Sequence, residues 1–509
     1  MDSDATDRSG NAGRAEALVL VGVILAAVLC YAWLATMVSD GQYLPVSSDE
    51  VGYYSRARAF CEHGTLTSPF VLEESVSRVG QFSSHGISYN LLHGLVARAV
   101  GFHPLNAIVT NLIFLLLALA LIAVQRLPLS RRLFLVAVVL LYFTLPVYLF
   151  TWMQETMQVF FAVVAGVLLL AVYRETDPRR RRRNVVLFVV AMVVAAWFRL
   201  SWMMFLFCLV PLARSWSRAL LYAAGALAGV VAGMVYTSLF HASYPYGFLA
   251  SLRPVLQQGD VLRAAGLLAG NFWSNLVTYF FRAAPFSTPP GVSAVTVANS
   301  QVAVAYLGTK YLLAVLVGAC CWFGVRRGDR FALAAGVIGL ITFLSLFLLY
   351  DAYEWRDQRS LAPVFFLAAF ALAHRARFRA ATTAVLLMLF APLVSYAATG
   401  VIPARRVLAR KYRASRETVT ALDRLRYQIT ERRTTTVLLS RFFARWNDIY
   451  LLSLPFANSS GYPIRYTINL LGEEDLEVRD EEFVDYLLVP DVGVGPDGRP
   501  IVIPLLLER

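Results

Sequence analysis

Apolar residues in this chain fall in long unbroken blocks separated by short basic breaks. A helix of about 20 apolar residues crosses a hydrocarbon core of about 30 Å. In lipid, such a helix satisfies its own backbone polar groups. The blocks predict helices near residues 17–37, 105–124, 132–150, 156–173, 184–199, 201–213, 219–239, 302–323, 331–350, 361–373 and 380–399. The fifth and sixth are short and meet at Phe198, Arg199, Leu200 and Ser201, which predicts a tight hairpin. The run 17–37 is too long for a signal-peptide core and has no clear cleavage site, so it is read as a retained helix.

The basic breaks give these helices a direction. Clusters stand at Arg126/Arg131/Arg132, at Arg174 with 179–183, at Arg214/Arg218, at Arg326/Arg327/Arg330 and at Arg375/Arg377/Arg379. Each follows an even-numbered helix, so the positive-inside rule puts all five on the cytoplasmic side with the N-terminus. This divides the chain into a cytoplasmic N-terminus 1–16, a transmembrane domain 17–400 and an outer tail 401–509. Outer loops then run over 38–104 and 240–301, with shorter ones near Trp152 and over 351–360. Within the tail, 403–431 reads as a basic helix suited to anionic headgroups. Strand-like runs follow at 434–440, 449–454, 466–471, 486–489 and 501–507. The expected fold class is an all-α polytopic membrane protein with about eleven transmembrane helices and a small C-terminal α/β domain on the outer face.

Composition agrees and removes one alternative. The chain is 58% hydrophobic with a net charge of +13. On a soluble protein that charge would suggest nucleic acid; here the arginines are topology signals and headgroup contacts, and no nucleic-acid partner is expected. Four of the five cysteines fall in apolar blocks, and Cys61 alone lies in an outer loop, so no disulfide framework or zinc spacing follows. Arginine in excess of lysine, with frequent Ala, Val and Gly, suggests a bacterial chain, hence the plasma (inner) membrane.

Candidate chemistry concentrates in the first outer loop. Just after helix 1 come Ser47, Ser48, Asp49, Glu50, Val51, Gly52, Tyr53 and Tyr54. Adjacent carboxylates there fit a helix N-terminus, capped by serine and complementing the dipole. They equally fit a general base with an acidic partner for an acceptor or a metal. His85 and Gly86 precede a predicted helix start, where the histidine would bind phosphate or metal, or make an interface hydrogen bond. Arg199 is open between a phosphate contact and a side chain snorkelling to the interface. Arg356 and Arg359 are open between phosphate binding and pairing with Asp351, Glu354 or Asp357. Tyr244, Tyr246, Trp273, Tyr279 and Phe280 suit an interfacial belt better than a sugar platform.

A first helix, an Asp-Glu pair, and interfacial helices with His85-Gly86 before the second membrane helix resemble the GT-C glycosyltransferases. These polytopic enzymes use sugars on polyprenyl or dolichyl phosphate. They include protein O-mannosyltransferases, the aminoarabinose transferase of lipid A and actinobacterial cell-wall transferases. Glu155 in Trp152-Met-Gln-Glu-Thr, Arg199 in Ala-Trp-Phe-Arg-Leu-Ser, and Arg356 and Arg359 in Arg-Asp-Gln-Arg-Ser-Leu-Ala-Pro match the order of that pattern. The resemblance covers residues 15 to about 400 in layout; the tail resembles no domain that can be named.

It implies an inverting transfer of a sugar from a polyprenyl-phosphate donor to a hydroxyl on a glycan, lipid or protein. Asp49 would take the hydroxyl proton, with Glu50 orienting the acceptor. Tyr53, His85, Glu155, Arg199, Arg356 and Arg359 would form the substrate-binding set, the arginines meeting the phosphate. A divalent ion (Mg, Mn or Zn) at Glu50 and Glu155 is an open alternative, because the Asp-Glu pair departs from the Asp-X-Asp of some members. Two competing classes remain: a lipid-linked polysaccharide polymerase or ligase, which would carry its main loop late in the chain, and a flippase or transporter, which would place charges at mid-membrane in repeated halves.

Overall fold

Most of the apolar blocks form single α-helices, and local chemistry marks where the helices begin. Asp177 accepts the Arg179 amide at 3.0 Å and Pro178 occupies the first turn of its helix, a position that needs no N–H. Asp329 accepts from the Phe331 and Ala332 amides at 3.1 and 3.0 Å after a turn at Gly328, whose φ of 62° suits glycine. The computed structural model describes residues 3–39, 48–64, 70–72, 88–142, 145, 148–240, 248–281, 299–349, 360–374, 379–396, 416–440, 450, 453–468, 485–494 and 500–508.

In chain order the elements are α1 (Ser3–Ser39), α2 (Ser48–His63), β1 (Phe70–Leu72), α3 (Ser88–Val100), α4 (Asn106–Ala123), α5 (Leu129–Leu141), α6 (Glu155–Arg174) and α7 (Pro178–Phe198). A 3-10 helix (Leu200–Cys208) runs into α8 (Leu209–Leu212), followed by α9 (Trp216–Phe240), α10 (Phe248–Gln257), α11 (Val261–Phe281), α12 (Asn299–Arg327) and α13 (Arg330–Leu349). Then come α14 (Ala362–His374), α15 (Arg379–Tyr396), α16 (Arg416–Gln428), β2 (Thr435–Leu439), β3 (Ile464–Ile468), β4 (Tyr486–Val494) and β5 (Pro500–Glu508).

Among the described residues five helices are long and apolar enough to cross a membrane: Ala15–Trp33, Asn106–Ala123, Glu155–Arg174, Trp216–Tyr236 and Arg330–Leu349. The chain is a multi-pass membrane protein. Of these spans α6 is the most buried, at 67%, while Ala15–Trp33 and Trp216–Tyr236 lie at the rim with 6% and 11% buried. Leu18, Leu29, Trp33, Leu220 and Leu227 point outward from that rim, as lipid-facing side chains do. Helix contacts close over small residues. A Cβ at Gly166 would stand 2.5 Å from the Phe370 ring, and one at Gly324 would stand 2.7 Å from the Leu333 backbone.

Among the described residues, arginines of four of the clusters meet at one end of the bundle. Arg174 reaches the Arg126 carbonyl at 3.4 Å and the His374 ring at 3.0 Å, and Arg131 donates to the His374 carbonyl at 2.9 Å. Arg181, Arg214 and Arg330 bond the carbonyls of Leu212, Glu175 and Ala213, capping helix ends that would otherwise leave acceptors unpaired. α6 runs from Glu155 at the opposite end to Arg174 at this one, about 30 Å at 1.5 Å per residue.

Three departures from the sequence expectations concern the end that bears Glu155. The block 132–150 does not continue as one helix: α5 stops at Leu141, Tyr142 turns extended, and residues 148–151 form turns that deliver Trp152. The loop 240–301 holds two helices, α10 and α11, and α11 packs on α13 through Asn271 and Asn275, which donate to the Leu348 and Phe347 carbonyls at 3.1 and 3.0 Å. The run 449–454 is not a strand among its described residues; Tyr450 and Ser453 are helical.

The sheet has the order β1-β3-β2-β4-β5. β1, β3, β2 and β4 run parallel and β5 returns antiparallel to β4. Every side chain of β2 except the half-buried Thr436 is buried, as expected of a central parallel strand. α16 packs beside β5. Residues 403–415 of the predicted basic helix lie outside the described residues.

Candidate active site

The spacing of α2 turns one face inward: Glu50, Tyr53, Tyr54, Ala57 and Arg58, at i, i+3, i+4, i+7 and i+8, are all buried. α3 packs against α2 through Gly94, where a Cβ would come within 2.5 Å of the Phe60 ring. The Arg98 guanidinium lies over Phe60 at 4.6 Å and closes the end of the pair.

Glu50 is fully buried, and its Oε1 accepts the Trp152 amide N–H at 3.0 Å. A buried carboxylate is costly without such a partner, and a charge-assisted bond to a backbone amide is among the stronger ones. Trp152 is fixed from its other side too. Its indole N–H donates to the Pro104 carbonyl at 2.8 Å, and Tyr54 and Phe102 pack on its ring at 5.3 and 5.8 Å. Asn111 donates to the Thr151 carbonyl at 2.9 Å, which pins the turn before it.

Glu155, 3% exposed, opens α6, where the helix dipole favours a negative charge. Between the two glutamates stand Tyr53 and Tyr89, edge to face at 4.9 Å. The Tyr89 hydroxyl donates to the Met153 carbonyl at 3.0 Å. Burial first, then the charges of Tyr53, Glu155 and Glu50, push the Tyr89 phenol well above its ordinary value. The segments that follow α1 and precede α6 thus bring two carboxylates and two phenols into one cluster.

A chain of amides leads from this cluster toward Arg199. The Gln154 side chain donates to the Tyr53 hydroxyl at 2.9 Å, Gln158 donates to Gln154 at 3.3 Å, and the Trp202 indole N–H donates to Gln158. Arg199 ends α7 in extended conformation, and its guanidinium donates to the Ser360 hydroxyl at 2.5 Å. Ser88, at the start of α3, donates to the Trp197 carbonyl at 2.6 Å and ties the first loop to the same corner.

Of the residues singled out from sequence, Glu50, Tyr53 and Glu155 come together, and the Arg199 carbonyl accepts the backbone N–H of Trp202, the last residue of the amide chain, at 3.1 Å. Asp49 lies in the first turn of α2, and its side chain is outside the described residues, as are His85, Arg356 and Arg359. Ser360, the partner of Arg199, follows Arg359 directly in the chain.

The residues that carry the network and were not singled out are Gln154, Gln158, Trp202 and Ser360. A pair of glutamines at i and i+4 at the start of an otherwise apolar helix was the signal available for the first two. His93 is a further unforeseen member, fully buried between Tyr89 at 4.2 Å and Trp152 at 5.5 Å. Its burial pushes the imidazole down to about 3, so it sits in the protein uncharged.

Among the described residues no group of three or more His, Cys, Asp or Glu side chains is placed to hold an ion, and Glu50 Oε1 is engaged by Trp152.

The helical bundle with its paired helices α2 and α3, the buried acidic cluster and the small sheet beside it together give this membrane protein an ArnT-like fold. The solved structure that carries this comparison is ArnT from Cupriavidus metallidurans bound to undecaprenyl phosphate: TM-score 0.53, 12% identity, 95% of this chain and 98% of that chain covered. ArnT in the apo state aligns with TM-score 0.38 at 11% identity, over 86% of this chain and 85% of that one. No protein-family model and no curated protein matches the sequence.

Proposed function

We propose that the chain is an inverting membrane glycosyltransferase that moves a sugar from a polyprenyl-phosphate donor to a hydroxyl acceptor at the outer face of the membrane. The observation that carries the proposal is the buried cluster of Glu50 and Glu155 at the head of α2 and α6, beside a hydrogen-bonded series Tyr53–Gln154–Gln158–Trp202. The fold it occupies is one seen with undecaprenyl phosphate bound in ArnT.

In the proposed reaction the acceptor oxygen attacks the anomeric carbon while the bond from that carbon to the phosphate oxygen breaks. The lipid phosphate leaves with the electron pair, and the acceptor proton passes to Asp49. Glu50, committed to the Trp152 amide, holds the start of α2 against the second outer loop and so aims its neighbour. Glu155 and Tyr53 orient the acceptor. Arg199 and Arg359 meet the growing phosphate charge, a task suited to forked, permanently charged donors. No step is routed through a metal. On this account a chelator leaves the rate within about twofold, whereas metal-assisted chemistry would lose orders of magnitude.

Under the same proposal eleven helices span the plasma (inner) membrane of a bacterium. The arginine end is cytoplasmic, and the domain from residue 401 is extracytoplasmic. A transfer assay tests the function. Wild-type protein in nanodiscs is given a panel of polyprenyl-phosphate sugars and a membrane extract as acceptor, and sugar release from the lipid is followed. Release with one donor supports the proposal and names the sugar. No release with any donor from folded protein moves the weight to a polymerase, ligase or flippase.

A further inference from the structure

The helix that carries Asp49 and Glu50 is gripped at its other end by the C-terminal domain, and Arg58 is the grip. Arg58 lies eight residues beyond Glu50, about 12 Å along α2, on the same buried face. Arg58 is 9% exposed, and two of its guanidinium nitrogens donate hydrogen bonds while the third faces a carboxylate. Nε donates to Glu62 Oε1 at 2.6 Å within α2. Nη1 donates to the Leu454 carbonyl at 3.3 Å, 396 residues along the chain. Nη2 stands 3.8 Å from Asp423 of α16, and the guanidinium carbon lies 5.4 Å over the Phe456 ring. Burial opposes the charge on Arg58, and Glu62, Tyr54 and Asp423 more than offset it.

A second hold follows directly after α2. β1 pairs in parallel with β3, Phe70 against Tyr466 and Leu72 against Ile468. The Phe70 ring packs on Phe456 at 5.6 Å and on Tyr466 at 5.8 Å. The Tyr466 hydroxyl in turn donates to the Pro455 carbonyl at 2.6 Å, which fixes the segment that presents Leu454 and Phe456. The first outer loop therefore supplies an edge strand of the C-terminal sheet, and the domain holds both α2 and the strand after it. A rigid helix held at one end transmits its rotation to the other: Arg58 and Glu50 share a face, so a turn of α2 that frees one moves the other.

We propose that Arg58 is a positioning residue, through which the C-terminal domain sets the rotation and height of α2 and thereby the placement of Asp49 and Glu50. The consequence for catalysis rests on the reading of those carboxylates as the reactive pair. The mechanical part does not: it concerns the chain alone.

The test uses the full chain in nanodiscs, as wild type, Arg58→Met and Arg58→Lys, with Phe456→Leu as a milder variant in case Arg58→Met fails to fold. Hydrogen exchange is followed in residues 48–56 and, as a control, in α6, alongside kcat and donor KM. The expected result for Arg58→Met is exchange about tenfold faster over 48–56 with α6 unchanged, and kcat lower by about tenfold with donor KM within about twofold. Arg58→Lys recovers part of both, because it keeps the charge but not the fork. Unchanged exchange over 48–56, or lost activity without faster exchange there, overturns the proposal. A wild type that releases no sugar instead defeats the glycosyltransferase reading, and the exchange measurement alone then decides whether the domain holds α2.

Discussion

A carboxylate in an apolar setting persists only where something binds its charge, and Glu50 does so by accepting the Trp152 amide. Glu50→Ala leaves that buried N–H without its partner, at a cost of about 1–3 kcal/mol. Glu50→Gln keeps an acceptor and is expected to retain most of the stability. Thermal unfolding of both variants checks this, and equal midpoints would contradict the role. In the sequence Glu50 drew attention as half of an acidic pair after an apolar run, and Glu155 only through the family resemblance. Gln154, Gln158 and Trp202 did not stand out, because a hydrogen-bonded chain across helices leaves no local trace. His93 adds a pH signature. Its folded-state pKa of about 3 lies below the ordinary 6.5. The unfolded chain therefore takes up a proton that the folded chain refuses, and stability falls as pH drops through that window. The midpoint of wild type is expected to decline from about pH 7 to about pH 4 more steeply than that of His93→Phe. Equal slopes would remove His93 from the account.

At the level of elements, apolar length and arginine breaks made the spans legible, and most helix ends fell within a few residues of expectation. The misses have physical causes. α11 carries Arg263, Asn271 and Asn275, so its mean hydropathy is diluted, although both asparagine amides donate to carbonyls of α13. α5 ends at Leu141, nine residues before the apolar run does, because the chain is needed for the turns that place Trp152. Packing between the helices depends on missing side chains. At Gly324 the nearest atoms to an added Cβ include the Leu333 backbone, which cannot swing aside. Gly324→Ala is expected to cost about 1–3 kcal/mol by overpacking. At Gly318, where an added Cβ meets nothing within 4 Å, alanine is expected to be neutral. Thermal midpoints of the two variants in detergent distinguish these outcomes.

Among the described residues, the arginines that break the apolar blocks at 126–132, 174–181, 214 and 330 lie at one end of the bundle and the buried acidic cluster at the other, with α6 spanning the distance between them. The order of the sequence predicted that sorting, because each cluster follows an even-numbered helix. The participation of the first outer loop in the C-terminal sheet was not legible, since three residues of β1 pair with a strand almost four hundred residues away and carry no pattern of their own. The proposed orientation puts the turn at Ser459 outside and Arg182 inside. In a Cys61→Ser background, a cysteine at 459 should react with an impermeant maleimide in spheroplasts, and one at 182 only after permeabilisation. The reverse pattern would invert the topology.

The central claim is tested most directly by sugar release from a polyprenyl-phosphate donor, measured side by side for wild type and Asp49→Asn, with both shown to be folded by size exclusion and thermal unfolding. The account predicts turnover by wild type and a loss of at least about a hundredfold in Asp49→Asn, the scale of a lost general base. Turnover by Asp49→Asn at the wild-type rate would contradict it.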